Sequence, residues 1–454
     1  MVNIKYDVIV VGGGVAGLYA SYLLAKAGLK IATIEMKSEK NVGNKVCGDA
    51  IGAHHFIELD LEPPVQGFDK DHEYDGVTLI SPDESNSIVV TGKGYSLNRR
   101  NFGLRLYRMA VNQGAEMFLE HSFLKPIIEG SRVVGVEVIN KSGSKKGLEG
   151  KVVIDASGPV AVVRRSLPSN WWVSEPIPKE DYNVTYREVV MGDFELDERY
   201  AYIYLNVDVA PGGYWWLFPK GRGIYNIGLG VQWKDGNPNP KTQFQKYVLP
   251  KLSKRINEVI HQGGGLVPTR RPIPCMVWNG FIVVGDAAAT ANPVHGGGIG
   301  SAMLSAKIAS EVIIEALEKG DVNLKSLWSY HAKFHRAYGA KQASLDVLRM
   351  FLQKMTNSEL NFVFKSRLVN GDEVYDIGSK GGLSISILER IRSFTSLLTK
   401  PRFLLKLYKL KQYMDKAREL YLNFPQDPSR YTEWYEQEQR FFKEYIEWLN
   451  TEMR

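Results

Sequence analysis

At 454 residues the chain is too long for one compact core and predicts two or three domains. Its apolar (44%) and charged (24%) content is that of a globular protein. No run of about 18 apolar residues offers a membrane span, and the first strand begins too early to leave room for a signal peptide. Two cysteines, Cys47 and Cys275, make no disulfide framework and suit a reducing cytoplasm. The net charge of +7 favours an anionic membrane surface or a phosphorylated substrate, with no nucleic-acid module and no metal-ligand cluster in the pattern.

Residues 6–11 (YDVIVV) are an apolar, β-branched run that predicts a buried parallel strand. Gly12, Gly13, Gly14, Val15, Ala16 and Gly17 follow as G-x-G-x-x-G, then a helical stretch over 18–27 closed by Gly28. A second strand over 30–34 ends in an acid, Glu35, which completes the order of a dinucleotide-binding βαβ unit. Gly12 permits the tight turn, Gly14 lets a pyrophosphate approach the backbone, and Gly17 lets the helix pack on the strand. The helix N-terminus offers free N–H groups and partial positive charge, and Glu35 accepts hydrogen bonds from a ribose.

A polar loop then ends in Lys45-Val46-Cys47-Gly48-Asp49, where Cys47 reads as a residue beside the cofactor, whereas Cys275 reads as structural. Alternation over 76–90 predicts paired strands outside the first unit, and 97–113 has helical spacing with Arg99 and Arg100 at its start. Strand patterns follow at 116–119 and 133–138. Residues 152–158 (VVIDASG) are again a buried strand ending in an acid and a glycine turn, with Asp155 structural. From 184 to 233 the pattern is mainly strand. Alternation of Tyr214, Trp216 and Phe218 puts three rings on one face, which reads either as an aromatic sheet core or as an apolar surface for a ligand that needs no hydrogen bonds. A third apolar strand, 281–284, leads to Asp286 and to Asn292-Pro293-Val294-His295-Gly296-Gly297-Gly298-Ile299-Gly300, where a long helix begins. The chain from 321 is helical by periodicity.

The three signatures, in this order, resemble the flavin-dependent superfamily typified by para-hydroxybenzoate hydroxylase. That resemblance implies FAD bound at Gly12, Gly14, Ala16 and Gly17, with Glu35 on the ribose and Asp286 on the ribityl chain and pyrophosphate. It further implies Gly297, Gly298 and Ile299 under the isoalloxazine, Cys47 and Gly48 beside it, Arg99 with Arg100 as its near competitor on the adenosine half, and Phe123 at the adenine. Residues 211–230, read as P-x-x-Y-x-W-x-F-P with a following G-x-G, resemble the geranylgeranyl reductases, and specifically the archaeal enzymes acting on digeranylgeranylglycerophospholipids. The implied fold class is α/β (α+β): an FAD-binding Rossmann-like domain (1–60, 98–170 and 275–320), an inserted antiparallel β-sheet substrate domain (61–97 and 171–274) and a helical C-terminal domain (321–454).

The expected activity is reduction of carbon–carbon double bonds in geranylgeranyl chains, with Cys47, Asp49, Tyr214 and Trp216 catalytic and Tyr214, Trp216, Phe218, His55 and His295 against substrate. The proton comes from the 47–49 loop or from His54, His55 or His295, and the electrons from ferredoxin or NAD(P)H. Arg270 and Arg271 read either as ligands of a lipid phosphate or as a surface pair. Residues 401–414 read either as an interfacial membrane helix, placing a cytoplasmic protein peripherally at the inner face of the membrane, or as a helix packing its apolar stripe. Competing readings are a flavin monooxygenase on the same scaffold and a non-catalytic prenyl-lipid carrier.

Overall fold

The computed structural model of the chain describes residues 5–383 and 401–452. The opening unit is β1 (Lys5–Val11), α1 (Val15–Lys26) and β2 (Ile31–Glu35), followed by β3 (Ala50–Gly52), α2 (His54–Glu58), β4 (Lys70–Ile80), β5 (Ser87–Leu97) and α3 (Arg99–Asn112). Next come β6 (Glu116–Leu119), β7 (His121–Glu129), β8 (Arg132–Asn140) and β9 (Lys145–Asp155). The middle of the chain gives β10 (Tyr182–Gly192), β11 (Tyr200–Tyr204), β12 (Trp215–Gly221), β13 (Ile224–Gln232) and β14 (Ile256–Pro268), then β15 (Val277–Trp278) and β16 (Phe281–Val283).

Two sheets result. The first has the order β15-β16-β9-β1-β2-β6, parallel from β16 through β6, with β7 and β8 forming a meander on β9. Its strands are buried on both faces, as their unbroken apolar runs dictate: Val8, Ile9, Val10, Val152, Val153 and Ile154 have no exposed surface. The C-terminal ends of β1, β9 and β16, which come from three distant parts of the chain, therefore open side by side. The second sheet has the order β14-β10-β13-β12-β11-β4-β5-β3 and is antiparallel except between β11 and β4. The short strand β3 pairs with β5 and so carries the chain from the first sheet to the second directly after the 45–49 loop.

Helix Ile299–Glu318 packs on α1, and beyond it the described residues are mainly helical. Capping boxes start two of these helices: Thr356 with Glu359, and Asn370 with Glu373. Helix Pro401–Leu422 lies along helix Ala340–Leu352 with Leu410, Met414, Ala417 and Tyr421 buried.

Candidate active site

A cavity of about 1940 Å³ runs from the glycine turn, past the second sheet, to the C-terminal helices. Pockets for one drug-sized ligand span roughly 300–1,000 Å³, so this volume suits a cofactor together with a long substrate.

At one end the cavity is built for a dinucleotide. A side chain on Gly17 would fall 1.9 Å from the Gly12 carbonyl oxygen, so α1 can approach β1 only with glycine there. At Gly14 the same test meets nothing within 4 Å, because that side of the turn faces the cavity. Neither α1 nor helix Ile299–Glu318 has a side-chain cap at its N-terminus, so both present free N–H groups there. Glu35 accepts from Gly13 N (2.7 Å) and Lys37 N (2.8 Å), which pins the turn to the end of β2. Arg99 is buried in the wall with Nε and Nη1 unpartnered, and Asp286 pairs with Lys45 at 2.7 Å. Open helix N-termini, an orphaned buried guanidinium and the bare cradle at Gly14 fit a dinucleotide cofactor.

Gly12, Gly14, Ala16, Glu35, Arg99, Phe123, Asp286, Gly297, Gly298 and Ile299 all line the cavity. Gly17 and Arg100 lie outside its wall; Arg100 donates instead to the Lys40 carbonyl at 3.0 Å. Asp155 is also outside. It accepts from Ser157 and from the Arg164 backbone and holds the turn after β9, and burial raises its pKa.

At the centre, the rings of Tyr214, Trp216 and Phe218 line the cavity in one row, neighbouring centroids 6.0 Å apart. The 47–49 loop is fastened beside them. Gly48 lies on the Phe218 ring, where a side chain would be only 3.2 Å away. Asn226 accepts from Trp216 Nε1 (3.0 Å) and donates to the Cys47 carbonyl (2.8 Å) and Asp49 Oδ2 (3.1 Å). Lys220 pairs with both Asp49 and Asp71 at 3.1 Å. Asp49 therefore serves here as an acceptor that anchors the loop. Tyr214 Oη donates to the His295 carbonyl (2.6 Å), tying the aromatic strand to the glycine loop, and burial raises its pKa.

A cluster of titratable groups lines the same cavity: His54, His55, Glu58, His295 and Lys341. His55 Nδ1 lies 3.1 Å from Glu58 Oε2, and the rings of His54 and His55 are 4.1 Å apart. His295 Nδ1 accepts from Gly297 N at 3.1 Å, which leaves its remaining proton on Nε2. The ring is exposed to the cavity it lines yet enclosed by protein. Enclosure and the nearby Lys341, His55 and His54 push its pKa down to about 4. Burial, then His55, lowers His54; burial lowers Lys341. The hydrogen bond from His55 holds Glu58 below the usual carboxylate range.

The far end is apolar. Leu348, Phe351, Val363, Ile377 and Leu407 from the C-terminal helices and Leu79 of β4 line it as an apolar tunnel.

One reading of the sequence is corrected. Arg270 and Arg271 are neither a surface pair nor available to a lipid phosphate. Arg270 pairs with Asp181 (3.1 Å), and Arg271 pairs with Asp346 (3.0 Å) and Glu438 and lies over the Phe442 ring. This buried network ties β14 to the C-terminal helices. Helix Pro401–Leu422 turns Phe403 and Leu410 inward, and Leu404 and Leu407 half inward, leaving Leu405 and Tyr408 exposed. Cys275 is buried and donates to the Val277 carbonyl, its thiol pushed up to about 12 by burial. Sequence reasoning missed Lys220, Asn226, Glu58 and Lys341. The available signal was Asn226, a polar residue at a fully buried position in the apolar run of β13.

Comparison with known proteins agrees with this layout. The family model described as Geranylgeranyl reductase catalytic domain matches residues 181–267, and that described as Glucose inhibited division protein A matches residues 7–62. The chain is 37% identical to a digeranylgeranylglycerophospholipid reductase of Sulfolobus acidocaldarius, over 96% of each chain. It is 30% identical to digeranylgeranylglycerophospholipid reductase 2 of Methanopyrus kandleri, over 83% of this chain and 96% of that one. Among solved structures, a geranylgeranyl bacteriochlorophyll reductase-like protein of Thermoplasma acidophilum superposes with a TM-score of 0.76 at 26% identity, covering 89% of this chain and 99% of that one. The flavin-dependent brominase Bmp2, as a triple mutant, shares the fold at a TM-score of 0.66 and 19% identity, over 87% of this chain and 100% of that one. The chain belongs to the digeranylgeranylglycerophospholipid reductase family.

Proposed function

We propose that the chain is an FAD-dependent reductase that saturates the carbon–carbon double bonds of geranylgeranyl chains in archaeal membrane phospholipid precursors. The observation that carries this is the single cavity joining the dinucleotide cradle, through the Tyr214–Trp216–Phe218 wall, to an apolar tunnel. The adenosine half falls to Arg99 and Phe123, the pyrophosphate to the amides at Gly12–Gly14, the ribityl chain to Asp286, and the ring system to Gly297, Gly298 and Ile299. When bound and reduced, the flavin supplies a hydride.

An isolated trisubstituted alkene has no carbonyl to polarise it, so one carbon must take a proton as the other takes the hydride. The chain's residues meet that need in two ways. Tyr214 and Trp216 line the cavity, where their rings stabilise positive charge at the tertiary carbon. His55, hydrogen-bonded to Glu58 at 3.1 Å and lining the cavity beside His54, His295 and Lys341, is the group we assign to hold the proton. Asp49 and Asn226 are positioning residues that keep the Cys47 loop against the aromatic row. The substrate's chain enters the tunnel under the C-terminal helices, with the protein peripheral at the membrane; ferredoxin or NAD(P)H supplies the electrons.

The test is anaerobic: reduce the bound flavin, add a geranylgeranyl lipid, and follow flavin reoxidation and product mass. One dihydrogen gained per flavin reoxidised is expected. Reoxidation that requires oxygen, with oxygenated product, would overturn the reading.

A further inference from the structure

Across four strands of the second sheet runs a row of directly opposed residues: Trp216 on β12, Gly228 on β13, Arg187 on β10 and Gly263 on β14. A glycine stands opposite Arg187 on both sides, so its side chain lies over bare backbone. A side chain on Gly228 would fall 2.5 Å from the Trp216 indole and 2.6 Å from Arg187 Cβ. Arg187 is two strands from the aromatic row, across Gly228 of β13, and lines the main cavity.

Arg187 is only 7% exposed, yet no carboxylate lies within ion-pair distance of it among the described residues. Nε has no partner, and Nη1 reaches His261 Nδ1 at 3.1 Å. A buried, unpaired cation is costly unless an anion completes it.

The same arginine lines a second cavity of about 280 Å³, walled by Lys37, Lys45, His261, Asn44, Val46 and the Gly264-Gly265 backbone. No acidic residue is in that wall. Lys45 is paired with Asp286, whereas Lys37 Nζ donates to the Asn44 carbonyl and forms no ion pair among the described residues. The floor stays open because β14 is glycine here: a side chain on Gly263 would meet Val46 at 2.8 Å. The volume is at the bottom of the range for small ligands and suits an anionic group rather than a whole molecule. An arginine fork with lysines around it is the donor set that phosphate oxygens take.

We infer that Arg187, Lys37, Lys45 and His261 form a phosphate-binding site beside the aromatic wall, adjoining the dinucleotide end of the main cavity, which Lys37, Lys45 and Arg187 also line. The phosphate ester it takes comes from one of two sources, the head of the prenyl lipid or a nucleotide electron donor. The assignment of those sources rests on the reductase reading, but the binding does not.

Inorganic pyrophosphate titrated calorimetrically into the flavin-loaded protein measures the site without turnover. Wild type is expected to bind it, with affinity falling about tenfold or more in Arg187→Gln and in the Lys37→Gln/His261→Ala double variant. Affinity unchanged in both overturns the site, as does loss of flavin in the double variant, which would put these cations on the cofactor. Two kinetic arms then identify the source. A tenfold rise in the ratio of KM for geranylgeranyl phosphate to KM for geranylgeraniol, under dithionite, assigns the lipid. Slower flavin reduction by NADPH with that ratio unchanged assigns the donor. Wild type that binds pyrophosphate but saturates no prenyl chain would count against the reductase reading and leave the site standing.

Discussion

Asn226 joins two pieces of the site that are far apart in the chain: the aromatic strand through Trp216, and the loop of Cys47 and Asp49 from 179 and 177 residues earlier. Its amide is fully buried, so removing it leaves the Cys47 carbonyl and the Trp216 indole N–H without partners at about 1–3 kcal/mol each. Asn226→Ala is expected to keep its flavin but to slow reoxidation by prenyl substrate in stopped flow, because the 47–49 loop drifts from the aromatic row. Loss of flavin would instead make Asn226 part of the cofactor wall. Glu35 is the opposite case. Both its oxygens are taken by backbone N–H groups at 2.7 and 2.8 Å, so Glu35→Ala removes the brace of the glycine turn as well as a ribose acceptor. A loss of roughly 1.5–3 kcal/mol for the charged acceptor predicts weaker flavin retention and a lower Tm together. Retention unchanged would remove Glu35 from the cofactor site. The glycine turn was legible in the sequence because its parts are local: strand, glycine spacing, helix and terminal acid fall within residues 5–35. The Asn226 and Lys220 contacts were not, because no short-range period marks which buried polar group meets which loop.

The aromatic strand and the C-terminal helices show the same division at the scale of elements. Alternation fixes that Tyr214, Trp216 and Phe218 share a face, since a strand has period 2 whatever surrounds it. Amphipathicity fixes that helix Pro401–Leu422 has an apolar stripe, but not what that stripe covers, because the partner is chosen by tertiary packing. The stripe closes the tunnel through Phe403, Leu407 and Leu410. What remains outside is Leu405 (70% exposed) and Tyr408 (48% exposed), with Arg402, Lys409 and Lys416 exposed on the same helix. Lys406 and Lys411 are half-buried, and Lys411 is paired with Asp415, so they contribute less. A helix that walls the tunnel with one face and offers aromatic, aliphatic and basic groups on the other suits a protein that draws its substrate from a bilayer. Co-sedimentation with liposomes is expected to require anionic lipid and to weaken with salt. It should weaken further in the Arg402→Gln/Lys409→Gln/Lys416→Gln variant, at about 1 kcal/mol per charge. Binding indifferent to salt and to these changes would leave the helix as a wall of the tunnel alone.

For the whole molecule, the join between the C-terminal helices and the first sheet sets how the protein responds to acid. His331 is fully buried there, with Nε2 accepting from Met276 N at 2.8 Å and Nδ1 facing the Trp328 carbonyl at 3.2 Å. Burial pushes its pKa down to about 3. His335, one turn on, packs against Tyr421 and Phe424 with neither ring nitrogen partnered; burial and then His331 lower it well below the ordinary value. In the unfolded chain both rings titrate near 6.5. As pH falls below that value the unfolded state takes up protons and the folded state does not. The stability these rings carry is therefore present above pH 6.5 and lost as pH falls toward their folded values. Between about pH 7 and pH 5 that loss is about 2 kcal/mol per ring. Asp155 and Glu175, raised by burial, work in the other direction, so the net slope of the wild type does not isolate the histidines. His335→Leu does. It removes one titrating ring and two buried nitrogens without partners while keeping an apolar side chain in the pocket. The variant is expected to match or exceed wild-type stability at neutral pH, because an unpaired buried polar group costs about 1–3 kcal/mol. It should lose about 2 kcal/mol less than wild type on acidification to about pH 5, read as the difference in denaturant midpoints at the two pH values. Equal acid losses in the two proteins would mean that His335 finds a proton-accepting partner in solution and that the helical region is held through acid by other groups.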